Sequence, residues 1–268
     1  MCLVRSVPHL RSFYEDRASE KRLTSDNPEM KSLISRIKTW VDLRPNQRVL
    51  DIGCYDGYIL RRLTNEAPIV GIGVDVSLRA VKRAEAGSEE ARLAFAACEA
   101  GHLPFLDASF DVVLCSEILE HVVGFHAVLN EIARVLRPGG RLYATIPNSL
   151  SEVWWPLRGT CRRVDTIEGH LRRLSFEEFL SSLSQYRLVC LKARYRGFVF
   201  SAIWYRLTVY NKIARSVGSS MLDNNHRPLA RVARVIVYGL MHSYMSVDGL
   251  FSRSSLCMGI DAVFERLP

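Results

Sequence analysis

The stretch that most constrains this chain is VLDIGCYDG at residues 49–57. An apolar run leads into Asp51, and Gly53 and Gly57 follow at a tight spacing before a helical pattern opens at Tyr58. This is a buried strand that ends in a glycine turn, with an acid at its carboxyl end. A second strand, Ile69 to Val74, runs into Asp75, 24 residues beyond Asp51. The pair defines a nucleoside-shaped site: glycine backbone lets a ligand approach closely, and the second acid can take both ribose hydroxyls.

The pattern around this turn is regular. Asn27-Pro28 opens a helix with apolar positions Met30, Leu33, Ile34, Ile37 and Val41 at helical spacing. Ile59 to Thr64 reads as a crossover helix, Gly71 to Val76 as the second strand, and Ser77 as the cap of a helix through Ala86. Leu93 to Ala97 and Asp111 to Cys115 read as the third and fourth strands. Ala127 to Leu136 reads as a helix stopped by Pro138-Gly139-Gly140, and Arg141 to Ile146 as the fifth strand. Strands alternating with helices at this spacing predict an α/β fold with a parallel, doubly wound sheet.

At 268 residues the chain suits one large α/β domain. Cys2, Cys54, Cys98, Cys115, Cys161, Cys190 and Cys257 form no CxxC pair and are scattered over apolar runs. They read as reduced thiols of a cytoplasmic protein, not a disulfide frame or a zinc site. Arg5, Pro8 and Arg11 interrupt the N-terminus, which lacks the apolar core of a signal peptide. The net charge of +8 is uneven: from Leu191 onward there are eleven Lys/Arg against four Asp/Glu. These cations are interleaved with Phe198, Phe200, Ile203, Trp204, Leu207, Val209 and Tyr210. That mixture fits an anionic membrane surface or a hydrophobic anionic substrate better than a nucleic-acid groove. The plainer reading is a helical pair covering the sheet, with its arginines on the wet face.

The motifs VLDIGCYDG, GVDVS, EAGHLPFLDASFDVVLCSEILEHV and LNEIARVLRPGGRLYATIPN, in this order over residues 45–150, resemble those of class I S-adenosylmethionine-dependent methyltransferases. Within that class they are most similar to the small-molecule branch that includes the ubiquinone-biosynthesis enzymes. The resemblance implies a Rossmann-like, seven-stranded, mostly parallel sheet whose last strand runs antiparallel between the fifth and sixth. It implies that Asp51, Gly53, Cys54 and Gly57 line the methionine end of S-adenosyl-L-methionine, and that Asp75 and Val76 hold the ribose. Glu99 and Ala100 would meet the adenine, and Cys115, Ser116 and Glu117 would flank the sulfonium. Tyr55 stands where a third glycine is common, and Gly101 where an acid often follows.

A nicotinamide dehydrogenase is the rival reading of a glycine turn after a strand. Its fingerprint is GxGxxG aimed at a pyrophosphate; the spacing here is DxGxxxG. Asp51 would repel a pyrophosphate but suits a cofactor that bears an amine and a sulfonium.

Methyl transfer asks the protein to align nucleophile, methyl and sulfur and to exclude water, and a hydroxyl nucleophile gains from a base. Glu117, Glu120 and His121 stand at i, i+3 and i+4, which share a helix face, and His170 in EGHLRRLS could approach from a later loop. ExxEH with a later histidine resembles the metal set of some quinone-pathway O-methyltransferases and of small-RNA 2′-O-methyltransferases. In those a divalent ion such as Mg²⁺ binds vicinal oxygens. Three readings stand together: a metal held by Glu117, Glu120, His121 and His170; a metal-free base at His121 or His170; and a structural role. His102 reads as a loop histidine and His126 as solvated. Trp154 and Trp155 are candidates for a substrate wall, and Tyr14 for part of a lid.

The expected organisation is a lead-in and cap helix over 1–44, a cofactor-binding core over 45–197, a helical insertion over 198–254 and a last core strand over 255–268. The insertion carries two apolar stretches broken by arginines, and its longest uncharged run, Val235 to Val247, is too short to span a bilayer. It reads as a lipophilic acceptor cover or a peripheral membrane contact. The expected activity is methyl transfer to a small, hydrophobic or lipid-like acceptor, with oxygen as the favoured nucleophile. RNA 2′-O-methylation is the alternative enzyme, weakened by the lack of a basic stripe in the core. A non-catalytic cofactor-binding protein is the alternative outside catalysis.

Overall fold

The computed structural model describes residues 12–16, 18, 28–88, 91–149, 165–166, 168–197 and 257–268. The expected insertion, Trp154, Trp155 and most of the lead-in lie outside these residues. The strands are Arg48–Ile52 (β1), Val70–Asp75 (β2), Leu93–Ala97 (β3), Phe110–Ser116 (β4), Leu136–Pro147 (β5), Leu188–Arg196 (β6) and Gly259–Arg266 (β7). They form one sheet in the order β3-β2-β1-β4-β5-β7-β6. β1 to β5 pair in parallel, and β7 runs antiparallel to both β5 and β6. This is the Rossmann-like methyltransferase topology expected from the motifs. The helices are Pro28–Trp40 (α1), Tyr58–Glu66 (α2), Leu78–Ala86 (α3), Phe125–Val135 (α4) and Phe176–Ser184 (α5), with a helical turn at 12–16.

Side chains of a central strand alternate between faces, so β4 feeds two cores. Val113 and Cys115 pack with Leu129 and Ile132 of α4 and Phe179 of α5. Val112 and Leu114 pack with Ile37 of α1, Leu60 and Leu63 of α2 and Tyr143 of β5. Burial on both faces is why these strands read as continuous apolar runs.

Two boundaries differ from the sequence reading. Helix α4 begins at Phe125, and β5 starts at Leu136, directly after Val135. Pro138-Gly139-Gly140 therefore lies inside β5. Leu136 pairs with Phe110 and Arg141 with Val112, and the register shifts between them. The prolyl-glycyl run, with Gly139 at φ +73°, supplies the irregularity instead of ending the helix.

The far edge of the sheet carries a buried charge cluster. Asp261 of β7 has no exposed side-chain surface, and its carboxylate lies 2.9 Å from Arg36 Nε, 2.7 Å from Arg196 Nε and 3.5 Å from Arg194 Nε. Arg36 belongs to α1, so this one acid ties the N-terminal helix to β6 and β7. Asp261→Ala would leave three guanidinium groups around an uncompensated site. It is expected to cost about 3–5 kcal/mol, read as a lowered midpoint in urea unfolding; an unchanged midpoint would show that the cluster does not stabilise the fold.

Candidate active site

The chain runs outward from β1 through β2 to β3, then returns to the other side of β1 with β4. In such sheets the crevice at the carboxyl ends of the strands, where the order reverses, holds the ligand. A cavity of about 390 Å³ lies there, lined among others by Gly53, Asp75, Val76, Glu99, Ala100 and His121. Its floor is the glycine turn. Gly53 N and Cys54 N both donate to Val74 O, at 2.7 and 3.0 Å, which folds the chain sharply back at the end of β1. Gly53 sits at φ +76°, and a Cβ there would overlap Ile118 Cδ1. Tyr55 adopts φ +49°, so it takes the left-handed conformation that a glycine would supply at this place. Its amide donates to Asp75 Oδ2 at 3.0 Å, and Ser77 N donates to Asp75 Oδ1 at 2.9 Å. Asp75, which the motif resemblance assigns to the ribose, is thus fixed by two backbone amides.

Arg134 of α4 lies behind the loop Glu99-Ala100-Gly101-His102 that lines the cavity. Its guanidinium donates to Glu131, to Asp107 Oδ1 at 2.8 Å, and to the carbonyls of Phe105 (2.7 Å) and Leu103 (3.1 Å). Glu131 in turn accepts from Leu103 N at 2.8 Å. One side chain therefore anchors the loop that leads out of Glu99-Ala100-Gly101-His102. His102, read from sequence as a loop histidine, is exposed and lines the cavity.

The ExxEH motif is not helical. Residues 117–124 form a run of turns, and Glu117 stands at φ +55°. This backbone breaks any helical run, so the shared helix face expected from the spacing does not form, although the Glu117 charge still acts on Glu120. The Glu117 carboxylate pairs with Arg196 and accepts from Thr145 Oγ1 at 2.8 Å. Crowding by protein atoms works to raise its pKa, but the Arg196 charge and the Thr145 hydrogen bond outweigh this and hold it below the usual range.

Glu120, His121 and His170 do meet, with ligand-type atoms of all three within 4.8 Å of one another. The Glu120 side chain is fully buried, and neither carboxylate oxygen has a hydrogen-bond partner among the described residues. Burial, and then the Glu117 charge, push its pKa well above the ordinary value. His121 Nδ1 faces the Gly169 carbonyl at 3.4 Å and His170 Nδ1 faces Asp165 Oδ1 at 2.7 Å. A carbonyl and a carboxylate only accept, so in a neutral imidazole each Nδ1 carries the proton and each Nε2 keeps its lone pair. Asp165 is clamped by Arg173, with Nη2 at 2.8 Å from Oδ1 and Nε at 3.1 Å from Oδ2. The two histidine loops are also tied together: Leu171 N donates to Glu120 O at 2.7 Å, and Arg172 Nη1 donates to Leu119 O at 2.6 Å and Val122 O at 2.5 Å.

Other sequence candidates fall elsewhere. The Cys54 thiol packs beneath Gly73, where an added Cβ would lie 2.8 Å from its sulfur. Gly57, at φ +73°, caps α2 against Phe95, and Cys115 is in the core. None of these three lines the cavity, and neither does Ser116, at the end of β4. Asp51 lies beneath the turn, 1% exposed, with Oδ2 lacking a hydrogen-bond partner among the described residues. Burial, and then the Asp75 charge, push its pKa up to about 8. The cavity also uses Cys98 and Val122, which carried no functional signal in sequence, and Tyr14. Asp165 was missed too: an acid five residues before a histidine is a common pairing, and only the turn between them makes it a contact.

A family model described as a methyltransferase domain matches residues 50–144. Among curated proteins, 27-O-demethylrifamycin SV methyltransferase of Amycolatopsis mediterranei is 32% identical over 176 residues, which cover 58% of this chain and 63% of that protein. The ubiquinone/menaquinone biosynthesis C-methyltransferase UbiE of Paracoccus denitrificans is 38% identical over 108 residues, 38% of this chain and 43% of that protein. The chain thus spans less than two thirds of the length of these relatives. Among solved structures, phosphoethanolamine N-methyltransferase 2 of Haemonchus contortus, bound to S-adenosyl-L-methionine, superposes with a TM-score of 0.63 at 16% identity. That match covers 96% of this chain and 56% of that one, and it bears on the fold.

Two outcomes follow from this geometry. Gly53→Ala adds a strained residue whose Cβ overlaps Ile118, so calorimetric binding of S-adenosylmethionine is expected to weaken at least about tenfold; an unchanged affinity would remove the turn from the site. Asp51 keeps its proton to about pH 8 when folded but loses it near 3.8 when unfolded, so the ligand-free protein loses stability from this group as pH rises across that window. A cationic ligand over the turn favours the carboxylate. Its binding is then expected to release a proton below about pH 8 and to tighten by up to about tenfold per pH unit on approach to that value. Titrations in buffers of different ionisation heat measure the release, and Asp51→Asn should abolish it.

Proposed function

We propose that the protein, whose residues 50–144 match a methyltransferase-domain family model, is a class I S-adenosylmethionine-dependent enzyme that methylates a hydroxyl group on a small, hydrophobic acceptor. The observation that carries this reading is the Asp165–His170 pair, tied to the cavity through His121. Their rings lie 4.8 Å apart, centroid to centroid, and His121 lines the cavity itself. The residues fit the cofactor: a glycine cradle that a Cβ would fill, a fixed acid at the end of β2, and a buried acid under the turn whose charged form a cation would favour.

When bound, S-adenosylmethionine supplies a methyl group already made electrophilic by its sulfonium. The chain then has three tasks. Asp75 would accept from the ribose hydroxyls, and the Gly53 turn and the Arg134-anchored loop would hold the two ends of the cavity around the cofactor. Asp165 holds the Nδ1–H of His170, whose Nε2 would, through His121 at the cavity, receive the acceptor proton as the methyl group leaves sulfur for oxygen. The apolar lining, with Ile52, Ile118, Val122 and Val128, keeps water from competing. An oxygen acceptor agrees with the rifamycin relative, and a histidine pair that reaches the cavity through His121 is of most use to an oxygen nucleophile. Among the described residues no helix is long and apolar enough to cross a membrane.

A second reading is favoured by one observation, the buried Glu120 carboxylate beside two imidazole nitrogens. That donor set suits a divalent ion, with Asp165 fixing the orientation of the His170 ligand, and a bound ion would lower the pKa of the acceptor hydroxyl. In this reading Glu117 is not a ligand, since it pairs with Arg196.

The test is turnover on a panel of hydroxylated apolar compounds, read by mass spectrometry as addition of one methyl group. His170→Ala is expected to lower kcat by about 10²–10⁴ while cofactor affinity holds, and Asp165→Asn to lower kcat in the same direction. Full turnover by His170→Ala would sink the base assignment. Indifference to chelator keeps the metal-free reading; loss of activity in EDTA that Mg²⁺ restores, together with loss in Glu120→Gln, selects the metal.

A further inference from the structure

Residues 12–16 lie outside every cofactor motif, yet three of them reach the site. Glu15 accepts from Leu78 N at 2.8 Å, Ser77 Oγ at 3.0 Å and Arg79 N at 3.3 Å. Leu78 and Arg79 open α3, whose first-turn amides have no partner within the helix. Ser77, the capping residue, is occupied with Ala80 N, so Glu15 supplies the remaining acceptors from more than sixty residues away. The same Ser77 donates its amide to Asp75, which places Glu15 one residue from the ribose acid. Next to it, Tyr14 lines the cavity with its ring edge-on to His121, centroids 5.7 Å apart. Phe13 fills the space over Gly169: a Cβ on that residue would lie 3.0 Å from the Phe13 ring, and its φ of +77° already disfavours a side chain. One helical turn therefore crosses from the start of α3, beside the ribose acid, to the loop that carries His170.

We infer that residues 12–16 are a strap of the active site, latched onto α3 by Glu15, that holds the cofactor in the cavity and sets the rate of its release. The inference rests on the cavity being the cofactor site. A carboxylate on helix amino-terminal amides makes charge-assisted hydrogen bonds, stronger than neutral ones but reversible. Glu15 is partly exposed, with 27% of its side chain open, so the latch can exchange with water without disturbing either core. With the latch open, Tyr14 leaves the wall between Asp75 and His121, and the cavity opens along that side. Phe13 engages the His170 loop, so an acceptor that orders that loop also slows cofactor release.

The experiment compares the full-length protein with Glu15→Ala, Glu15→Gln and Phe13→Ala. S-adenosylhomocysteine dissociation is followed by stopped-flow displacement, alongside KM for S-adenosylmethionine and single-turnover rates. Glu15→Ala is expected to speed release and raise the cofactor KM by about tenfold to a hundredfold, the equivalent of losing hydrogen bonds to a charged group. Its single-turnover rate at saturation should stay within about twofold, since no reacting atom is touched. Glu15→Gln, which keeps an acceptor oxygen, should fall between. Phe13→Ala leaves the α3 cap intact, so faster release in that variant assigns the effect to the strap and not to a frayed helix. A wild-type protein that binds no cofactor overturns the reading of the cavity. A wild type that binds it, with release unchanged in Glu15→Ala and Phe13→Ala, overturns the strap alone. A lowered melting temperature with unchanged release makes Glu15 a helix cap only and likewise overturns it.

Discussion

Two backbone amides, those of Gly53 and Cys54, share a single acceptor, the carbonyl of Val74. That bifurcated bond forces β1 to turn back at its carboxyl end and fixes the turn to β2, so the acid ending β2 is always presented to the same space. The left-handed backbone at Gly53 then leaves a gap that Ile118 fills from the end of β4. Three strands that arrive separately in the sequence are locked into one crevice by this contact. The cavity is a consequence of the turn; the helices around it only close its sides.

The fold was legible because it rests on periodicity. Alternating strands and helices, Ser77 as a cap and the acids at the ends of β1 and β2 are local patterns, and the structure places them where the patterns put them. The motif order added the antiparallel β7, which periodicity alone does not reach. Errors came where a single φ angle overrides spacing. ExxEH shares a face only if 117–121 is helical, and Glu117 at φ +55° breaks that premise. Cys54, which the resemblance places at the methionine end, packs its thiol against Gly73, and its side chain does not line the cavity. Asp165 and Arg196 were invisible for another reason: their partners are fixed by tertiary contact between loops, which no periodicity encodes.

Charge explains why Glu117 departs from its neighbours. Two carboxylates whose charges interact, one of them fully buried, are not both readily ionised without a cation. Arg196 resolves the conflict by taking Glu117, which leaves Glu120 as the member whose charged form is disfavoured. Arg196 can do so because it is itself held over Gly259 and beside Asp261, where a Cβ on Gly259 would lie 3.0 Å from the guanidinium. The charge state of the acceptor-side loop is thus set by a cluster on the far edge of the sheet, through β6 and β7.

This arrangement separates two kinds of support. The side expected to take the cofactor is held by backbone amides on Val74 and on Asp75, and by one arginine, Arg134, that gathers the carbonyls of Leu103 and Phe105. The two amides on the Val74 carbonyl tolerate side-chain change, provided Gly53 keeps its conformation. The acceptor side is held by arginine side chains, Arg172 on the carbonyls of Leu119 and Val122, Arg173 on Asp165 and Arg196 on Glu117. A single substitution there can release a loop without unfolding the sheet. A fold built this way can change its acceptor while keeping its cofactor. The names of two relatives place methyl groups on oxygen and on carbon.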